Sequence, residues 1–166
     1  MKPITAAVLT CSDRCSRGQA VDKSGPALVE ILQKQLSVEV LTTAILPDEA
    51  EQISRQIRAW ALDSPKPDLI LTTGGTGLSP RDVTPEATAK LLERRHPGLL
   101  ELARLRCFAK TPKAFLSRGE AGTLGKTLIV NLPGSPRGAS EFLQAMADIL
   151  PHAIDTIRGE AVEEQS

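Results

Sequence analysis

The chain has 166 residues with 20 acidic and 20 basic side chains, so its formal net charge is zero. That balance excludes a general electrostatic attraction to nucleic acid or to an anionic membrane surface. With three Phe, one Trp and no Tyr, the chain also lacks the aromatic platforms on which single-strand binders stack bases. The length suits one domain, which we expect to span residues 1–160, with a loose tail at 161–166.

The cysteine pattern is that of a reducing compartment. Cys11, Cys15 and Cys107 are odd in number and have no framework spacing. No signal-like segment precedes the first strand candidate, and no apolar run has the length needed to span a bilayer. We therefore expect a cytoplasmic protein with free thiols, no membrane partner and no zinc site.

Strand-like and helix-like segments alternate along the chain. Apolar and β-branched runs predict strands at 4–10, 38–45 and 68–73, and residues 126–134 repeat the pattern of a strand followed by glycine. Helical spacing and start signals predict helices from Pro26 onward and over the ranges 47–63, 85–94, 97–106 and, interrupted near Pro151, 138–157.

This alternation predicts the α/β class, as a three-layer domain with a mostly parallel sheet flanked by helices. Residues 107–125 follow neither pattern clearly. We expect irregular structure or a small β excursion in that region.

Four loops that follow strand candidates are rich in Gly, Ser, Thr or Asp. They read 10-TCSDR-14, 46-LPDE-49, 72-TTGGTG-77 and 131-NLPGSP-136. In open α/β sheets, ligands bind beyond the carboxyl ends of the strands, so these loops should meet at one edge. Four such loops in series predict a binding site there.

The glycine loop admits two interpretations. Without Cβ atoms, the backbone N–H groups of Gly74, Gly75 and Gly77 can approach phosphate oxygens closely, and Thr76 can add a hydroxyl. The loop has neither the Lys of a P-loop nor the spacing of a dinucleotide-binding fingerprint. It is therefore either a phosphate-binding loop or a tight turn between a strand and a helix.

Asp48 and Asp82 each lie in a strand-exit loop, so their carboxylates could face one another. Two such carboxylates could hold Mg²⁺ beside a phosphate and remove the repulsion between the two anions. Alternatively, Asp48 caps the helix that begins at 47–49, and Asp82 pairs with Arg81 or Arg14.

Basic side chains near these loops suit an anionic substrate, or they are ordinary solvated surface charges. Ser135 and Arg137 also follow a glycine turn in the manner of an anion-binding helix start. The basic residues are Arg14, Lys23, Arg81, Arg118 and Arg137.

Residues 71-LTTGGTGLSPRDVTPEAT-88 closely resemble the signature of the molybdenum-cofactor biosynthesis domain. This family comprises bacterial molybdopterin adenylyltransferase (MogA), its MoaB-type relatives, and the G domains of gephyrin and plant Cnx-type proteins. Further pieces occur in the family's order, so the resemblance covers nearly the whole chain. They are 10-TCSDRCSRG-18, 22-DKSGP-26, 46-LPDE-49, 97-PGLLE-101, 117-SRGEAG-122 and 128-LIVNLPGSP-136.

The resemblance implies an enzyme that binds molybdopterin and MgATP. The family's enzymes transfer AMP to the terminal phosphate of the pterin and release pyrophosphate. It also implies a homotrimer that hands its product to a molybdate-insertion protein. The alternative within the family is a MoaB-type protein that binds molybdopterin without adenylyl transfer in vivo.

The resemblance further implies site residues. Asp48 and Asp82 correspond to the family's two catalytic aspartates and are the candidate Mg²⁺ ligands. The residues implied in binding substrate or nucleotide are Ser12, Asp13, Arg14, Ser24, Gly25, Thr73, Gly74, Gly75, Thr76, Gly77, Arg81, Glu86, Ser117, Arg118, Pro133, Gly134 and Ser135.

The chain departs from the family's pattern in two places. Cys107 occupies a position where relatives often have Ser, which bears on contacts with the pterin. Residues 78-LSP-80 resemble the MoaB and G-domain forms as much as the MogA form, so the subfamily stays open.

Overall fold

A computed structural model describes residues 2–160, and the predicted loose tail at 161–166 lies outside that range. The strands are β1 Thr5–Cys11, β2 Glu39–Leu46, β3 Leu69–Thr73, β4 Arg94–Arg95, β5 Ala121–Leu124 and β6 Thr127–Leu132. The α-helices are α1 Asp13–Ser16, α2 Ser24–Lys34, α3 Ala50–Leu62, α4 Thr84–Ala89, α5 Gly98–Cys107, α6 Pro136–Met146 and α7 Leu150–Arg158, with a 3₁₀ helix at Pro112–Leu116.

The strands form one mixed sheet in the order β2-β1-β3-β6-β5-β4. Strands β2, β1, β3 and β6 are parallel, whereas β5 runs antiparallel to β6, and β4 runs antiparallel to β5. The predicted α/β class and mostly parallel sheet are confirmed. Part of the unpatterned region 107–125 is the predicted β excursion, because it contains β5.

Helices cover both faces of the sheet and give the predicted three layers. One apolar cluster contains the inward side chains of α2, α5, α6 and α7, and the other contains those of α3 and α4. The central strands β3 and β6 are buried at every residue. Parallel strands covered on both faces read as continuous apolar runs, which is why β3 was recognisable from the sequence.

The helix predicted over 85–94 is too long. Helix α4 ends at Ala89, and Arg94 and Arg95 form β4 instead. The backbone N–H of Glu93 donates to Thr123 O at 2.8 Å, and that of His96 donates to Ala121 O at 2.7 Å. Pairing with β5 therefore draws this segment into the sheet.

None of the helices within residues 2–160 combines the length and the apolar character that a membrane crossing needs.

A largely buried ion pair lies at the amino end of the sheet, away from the four glycine- and acid-rich loops. Arg158 donates to both carboxylate oxygens of Asp68, at 2.9 and 2.7 Å, and their side chains are 7% and 12% exposed. Burial raises the pKa of Asp68, but hydrogen bonds from Arg158 and from Thr5 outweigh it and hold the pKa below the ordinary 3.8. The stability from this depression is fully present above the unfolded pKa and is lost as the pH falls through the folded pKa.

We expect Arg158→Met to lower the free energy of unfolding at pH 7 by roughly 2–3 kcal/mol, because a buried carboxylate loses its partner. The difference from wild type should shrink as the pH falls from 3.8, the ordinary pKa, through the lowered pKa of Asp68 in the folded protein. Urea unfolding at pH 7 and in acid measures both effects. Lys34→Met is the control, since its pair with Glu30 is exposed and should matter little. A loss that does not shrink in acid would contradict the assignment.

Candidate functional site

The carboxyl ends of β1, β2, β3 and β6 lie at one edge of the sheet, because these strands are parallel. The loops that follow them are joined by hydrogen bonds. Ser12 N donates to Leu46 O at 2.9 Å, and Thr73 Oγ1 donates to Pro133 O at 2.7 Å. The structure thus brings the four loops together where the sequence places them.

The glycine loop makes a tight turn behind this edge. Gly74 and Gly75 have φ values of 98° and 65°, a region that favours glycine. A Cβ on Gly74 would overlap the carbonyl oxygen of Cys11, and one on Gly75 would overlap Thr84 Oγ1. Backbone conformation and close packing therefore both require glycine here, which is the tight-turn interpretation. The same turn leaves this backbone bare toward the adjoining cavities.

Asp13 and Asp48 hold their two loops together reciprocally. Asp13 N donates to Asp48 Oδ2 at 3.0 Å, and Asp48 N donates to Asp13 Oδ1 at 3.1 Å. Arg81 reaches over from the loop after β3, with Nε 3.0 Å from Asp13 Oδ2 and Nη2 3.0 Å from Glu49 Oε1. Hydrogen bonding from Arg81 holds the pKa of Asp13 below its usual value. These contacts make Arg81 and Asp13 part of the framework that positions Asp48.

Asp48 is partly buried beside other carboxylates. Burial raises the pKa of Asp48, and the charges of Asp13 and Asp82 raise it further, against the lowering by the Asp13 backbone and Arg81. The N-cap residue of α3 is Glu49, so Asp48 does not cap that helix. Helix capping therefore does not explain Asp48, whose carboxylate bonds only the backbone N–H of Asp13 within residues 2–160.

Asp82 borders the glycine loop from the other side. Its Oδ2 accepts from Ser79 N at 3.2 Å and would lie 2.7 Å from a Cβ on Gly77. Within residues 2–160, neither Arg81 nor Arg14 forms an ion pair with Asp82. The pairing that offered an alternative explanation for Asp82 is thus absent from the described chain.

Arg118 fastens the glycine loop to the loop that contains Asp82. Its backbone N–H donates to Thr76 O at 2.8 Å, its Nε to Gly77 O at 2.7 Å and its Nη2 to Asp82 O at 2.9 Å. Its remaining Nη1 pairs with Glu86. Because all these donors are used within the protein, Arg118 positions the two loops by binding their backbone carbonyls.

We expect Arg118→Lys to reduce turnover by about 10–100-fold, because an ammonium cannot reproduce the planar set of donors that holds two carbonyls at once. A steady-state assay of the activity proposed below measures the loss. Arg95→Lys is the matched control, since Arg95 also pairs with a glutamate, Glu120, but lies on β4 away from the loops. Equal effects of the two substitutions would contradict the positioning role.

Two cavities meet at the glycine turn. The first, the Asp82 cavity, has a volume of about 450 Å³, and the second, the Asp48 cavity, about 350 Å³. Gly75 and Gly134 line both of them. A Cβ on Gly134 would lie 3.1 Å from Gly74 Cα, so the two loops pack closely as a thin wall between the cavities.

The predicted residues divide between these cavities and the framework around them. The predicted residues that line the Asp48 cavity are Ser12, Ser24, Asp48, Thr73, Gly74, Gly75 and Gly134. Those that line the Asp82 cavity are Gly75, Thr76, Gly77, Asp82, Ser117, Pro133, Gly134 and Ser135. Those that line neither are Asp13, Arg14, Gly25, Arg81, Glu86 and Arg118.

The start of α6 opens into the Asp82 cavity. Ser135 precedes the helix and its Oγ accepts from Gly138 N at 3.0 Å, so α6 begins directly after the glycine turn, at Pro136 and not at the predicted 138. Glu141 and Phe142 lie one turn further along and also line the cavity, although no motif in the sequence indicates them. Their signal was the helical spacing of three and four residues from Gly138.

Cys107, where relatives often have Ser, lines the Asp82 cavity, so this departure from the family's pattern lies where a bound ligand would contact it. Burial raises the pKa of the Cys107 thiol, and the charge of Glu141 adds to that effect. The side chain at this position is therefore a neutral thiol at physiological pH.

Comparisons with known proteins agree with this architecture. Residues 7–152 match the family described as "Probable molybdopterin binding domain". The chain is 40% identical over 160 residues to a molybdopterin adenylyltransferase of Helicobacter pylori, which covers 96% of this chain and 90% of the relative. It is 43% identical over 157 residues to the molybdenum cofactor synthesis protein cinnamon of Drosophila melanogaster, covering 95% of this chain.

Some relatives are much longer than this chain, which spans 26% of the length of the Drosophila protein. Among solved structures, the molybdopterin biosynthesis enzyme MoaB of Thermus thermophilus superposes with a TM-score of 0.89 at 49% identity, covering 95% of this chain and 98% of that one. From the match over residues 7–152 and these full-length likenesses, the chain belongs to the molybdopterin-binding domain family of molybdenum-cofactor biosynthesis.

Proposed function

We propose that this protein transfers AMP from ATP to the terminal phosphate of molybdopterin and releases pyrophosphate. The observation that carries the proposal is the pair of cavities that share the wall of Gly75 and Gly134, with Asp48 in one and Asp82 in the other. A transfer between two bound substrates needs adjoining sites whose reacting atoms come close together. The relative from Helicobacter pylori, named a molybdopterin adenylyltransferase, supplies the identity of the substrates.

The protein's share of the reaction is positioning and charge. The bare backbone of Gly74, Gly75 and Gly77 would seat phosphate oxygens at the wall between the cavities. The first turn of α6, which follows Ser135, adds backbone donors and the positive end of a helix dipole to the Asp82 cavity. With both substrates held, the pterin phosphate oxygen attacks the α-phosphorus of ATP in line, and pyrophosphate leaves.

The acidic residues fit a divalent cation that completes its ligand set with phosphate oxygens. Asp48 Oδ1 is buried and has no hydrogen-bond partner among residues 2–160, and the charge of Asp82 is close enough to raise the pKa of Asp48. Within residues 2–160, no three His, Cys, Asp or Glu side chains are arranged to hold a metal by themselves. Mg²⁺ typically binds through one or two carboxylates plus substrate phosphates, so Asp48 and Asp82 would hold it here. When bound, it would neutralise the triphosphate and stabilise the leaving pyrophosphate.

A second function is favoured by the likeness to the Thermus MoaB structure, at 49% identity. In that case the protein binds molybdopterin but transfers no AMP. The two carboxylates at the wall favour catalysis over binding alone, since a pterin binder has no need of two groups that repel phosphate.

A single-turnover experiment separates the two functions. Protein in excess is mixed with molybdopterin, ATP and Mg²⁺, and released pyrophosphate is measured against time. One pyrophosphate for each molybdopterin supports the transferase. Tight pterin binding without pyrophosphate release supports the binding protein and overturns the transferase.

We further propose that the chain forms a homotrimer in the cytoplasm and passes its product to a molybdate-insertion protein. Support for an interface comes from the exposed apolar side chains Leu105, Phe108 and Phe115, at 67%, 54% and 51% exposure. The rings of Phe108 and Phe115 pack edge to face with centroids 5.6 Å apart. Such patches mark surfaces that contact other proteins. Light scattering of the purified protein measures the assembly state.

A further inference from the structure

Two buried side-chain oxygens lack a hydrogen-bond partner within residues 2–160, and both lie behind the glycine turn. They are Thr84 Oγ1 and Asp48 Oδ1. A side chain on Gly75 would overlap the first and come within 2.9 Å of the second, so the two atoms flank the same glycine. An unmatched buried polar atom costs about 1–3 kcal/mol, and strain of this kind is characteristic of functional sites.

Thr84 is the less expected of the two. It is fully buried and is the first residue of α4, one position after the N-cap residue Val83, so its hydroxyl does not cap the helix. The hydroxyl lies beside the thiol of Cys11, whose pKa burial raises and hydrogen bonding with Thr84 lowers, but it bonds no nitrogen or oxygen within residues 2–160. Its own N–H donates to Gly75 O at 3.1 Å, which fixes its backbone against the glycine turn.

Thr88 shows what a structural threonine does on the same helix. It is also fully buried, one turn further along α4, and its Oγ1 accepts from Asn131 Nδ2 at 3.0 Å. The fold therefore satisfies the hydroxyl of Thr88 and leaves that of Thr84 available as a donor beside a carboxylate oxygen that lacks one.

We propose that Thr84 is a positioning residue for Asp48, donating its hydroxyl hydrogen to Oδ1 when substrates bind. A Cβ on Gly75 would overlap Thr84 Oγ1 and lie 2.9 Å from Asp48 Oδ1, so the two oxygens are close neighbours, and a hydroxyl hydrogen rotates freely toward an acceptor. Asp13 N already holds Oδ2 at 3.0 Å. Together the two donors would fix the plane of the carboxylate and thus which lone pairs face the Asp48 cavity. This inference rests on the proposed function of Asp48.

The test compares Thr84→Val with Thr84→Ser, using Thr88→Val as the matched control. Affinity is measured with Mn²⁺ as a paramagnetic probe, in the presence of an ATP analogue that cannot be cleaved at the α-phosphorus. We expect Thr84→Val to weaken Mn²⁺ binding and to lower kcat by about 10–100-fold each, the usual effect of removing a group that orients a metal ligand. Thr84→Ser keeps the donor and should restore both values to near wild type.

The two valine variants should differ in thermal stability in the opposite order from their Mn²⁺ affinity. Replacing an unmatched buried hydroxyl with a methyl group leaves the temperature of unfolding of Thr84→Val unchanged or raised. Thr88→Val deprives Asn131 of an acceptor and should lower that temperature while leaving Mn²⁺ affinity intact.

Thr84→Val with wild-type Mn²⁺ affinity and kcat would overturn the proposal, as would a loss of stability equal to that of Thr88→Val. Asp48→Ala separates this failure from failure of the proposed function. If Asp48→Ala is inactive while Thr84→Val is fully active, the role of Thr84 alone is wrong. If Asp48→Ala retains transfer, the proposed role of Asp48 is wrong as well.

Discussion

Asp82→Ala is expected to lower the single-turnover rate of adenylyl transfer by about 10³-fold while molybdopterin binding stays largely intact. The carboxylate borders Gly77 in the Asp82 cavity, and the only hydrogen bond it accepts within residues 2–160 comes from Ser79 N, at 3.2 Å. The backbone carbonyl that Arg118 binds at 2.9 Å is retained in the alanine variant. The substitution therefore removes charge from the site and leaves the hydrogen bond from Arg118 to the loop in place.

Quenched-flow measurement of pyrophosphate release gives the rate, and equilibrium titration gives the affinity for molybdopterin. Ser79→Ala is the matched control, because it alters the same exposed loop but keeps the backbone N–H that Asp82 accepts. Near-normal turnover in Asp82→Ala would reject the assignment. Equal losses in both variants would indicate that the loop, and not the carboxylate, is responsible.

The parts of the fold that follow from the sequence are those set by local pattern and by burial. Strand β3 is buried throughout and begins with three apolar residues because helices cover both of its faces, and the parallel arrangement follows from the intervening helices. The end of α4 is different. It depends on bonds from Glu93 and His96 to the distant strand β5, which no pattern near residue 90 reveals.

The site divides in the same way. Convergence of the four loops follows from parallel strands, whereas the need for glycine at Gly75 comes from its φ of 65° and its contact with Thr84 Oγ1, which the sequence does not show. Arg81 and Arg118 looked like ligand-binding cations, yet the structure places them in contacts with Asp13, Glu49, Glu86 and two backbone carbonyls. Those partners are 32 to 68 residues away along the chain, so spacing could not predict them.

The wall between the cavities depends most on Gly75, and Gly75→Ala is expected to destabilise the protein and to abolish transfer. At φ 65° an alanine costs about 1–2 kcal/mol, and its Cβ would overlap Thr84 Oγ1. Relief of that overlap must move either the glycine turn or α4, and Asp48 Oδ1 lies within 2.9 Å on the other side. We expect a total loss of about 2–4 kcal/mol of unfolding free energy, measured by urea titration.

Gly159→Ala isolates the contribution of backbone conformation. Gly159 follows α7 at φ 82°, and a Cβ there would meet no atom of residues 2–160 within 4 Å. Its substitution should therefore cost only about 1–2 kcal/mol and leave transfer unchanged. The excess loss in Gly75→Ala measures the packing of the turn against Thr84 and Asp48. If the two variants lose equal stability, the turn tolerates a side chain, and the close fit between the glycine loop and the carboxylate of Asp48 is not what the protein requires there.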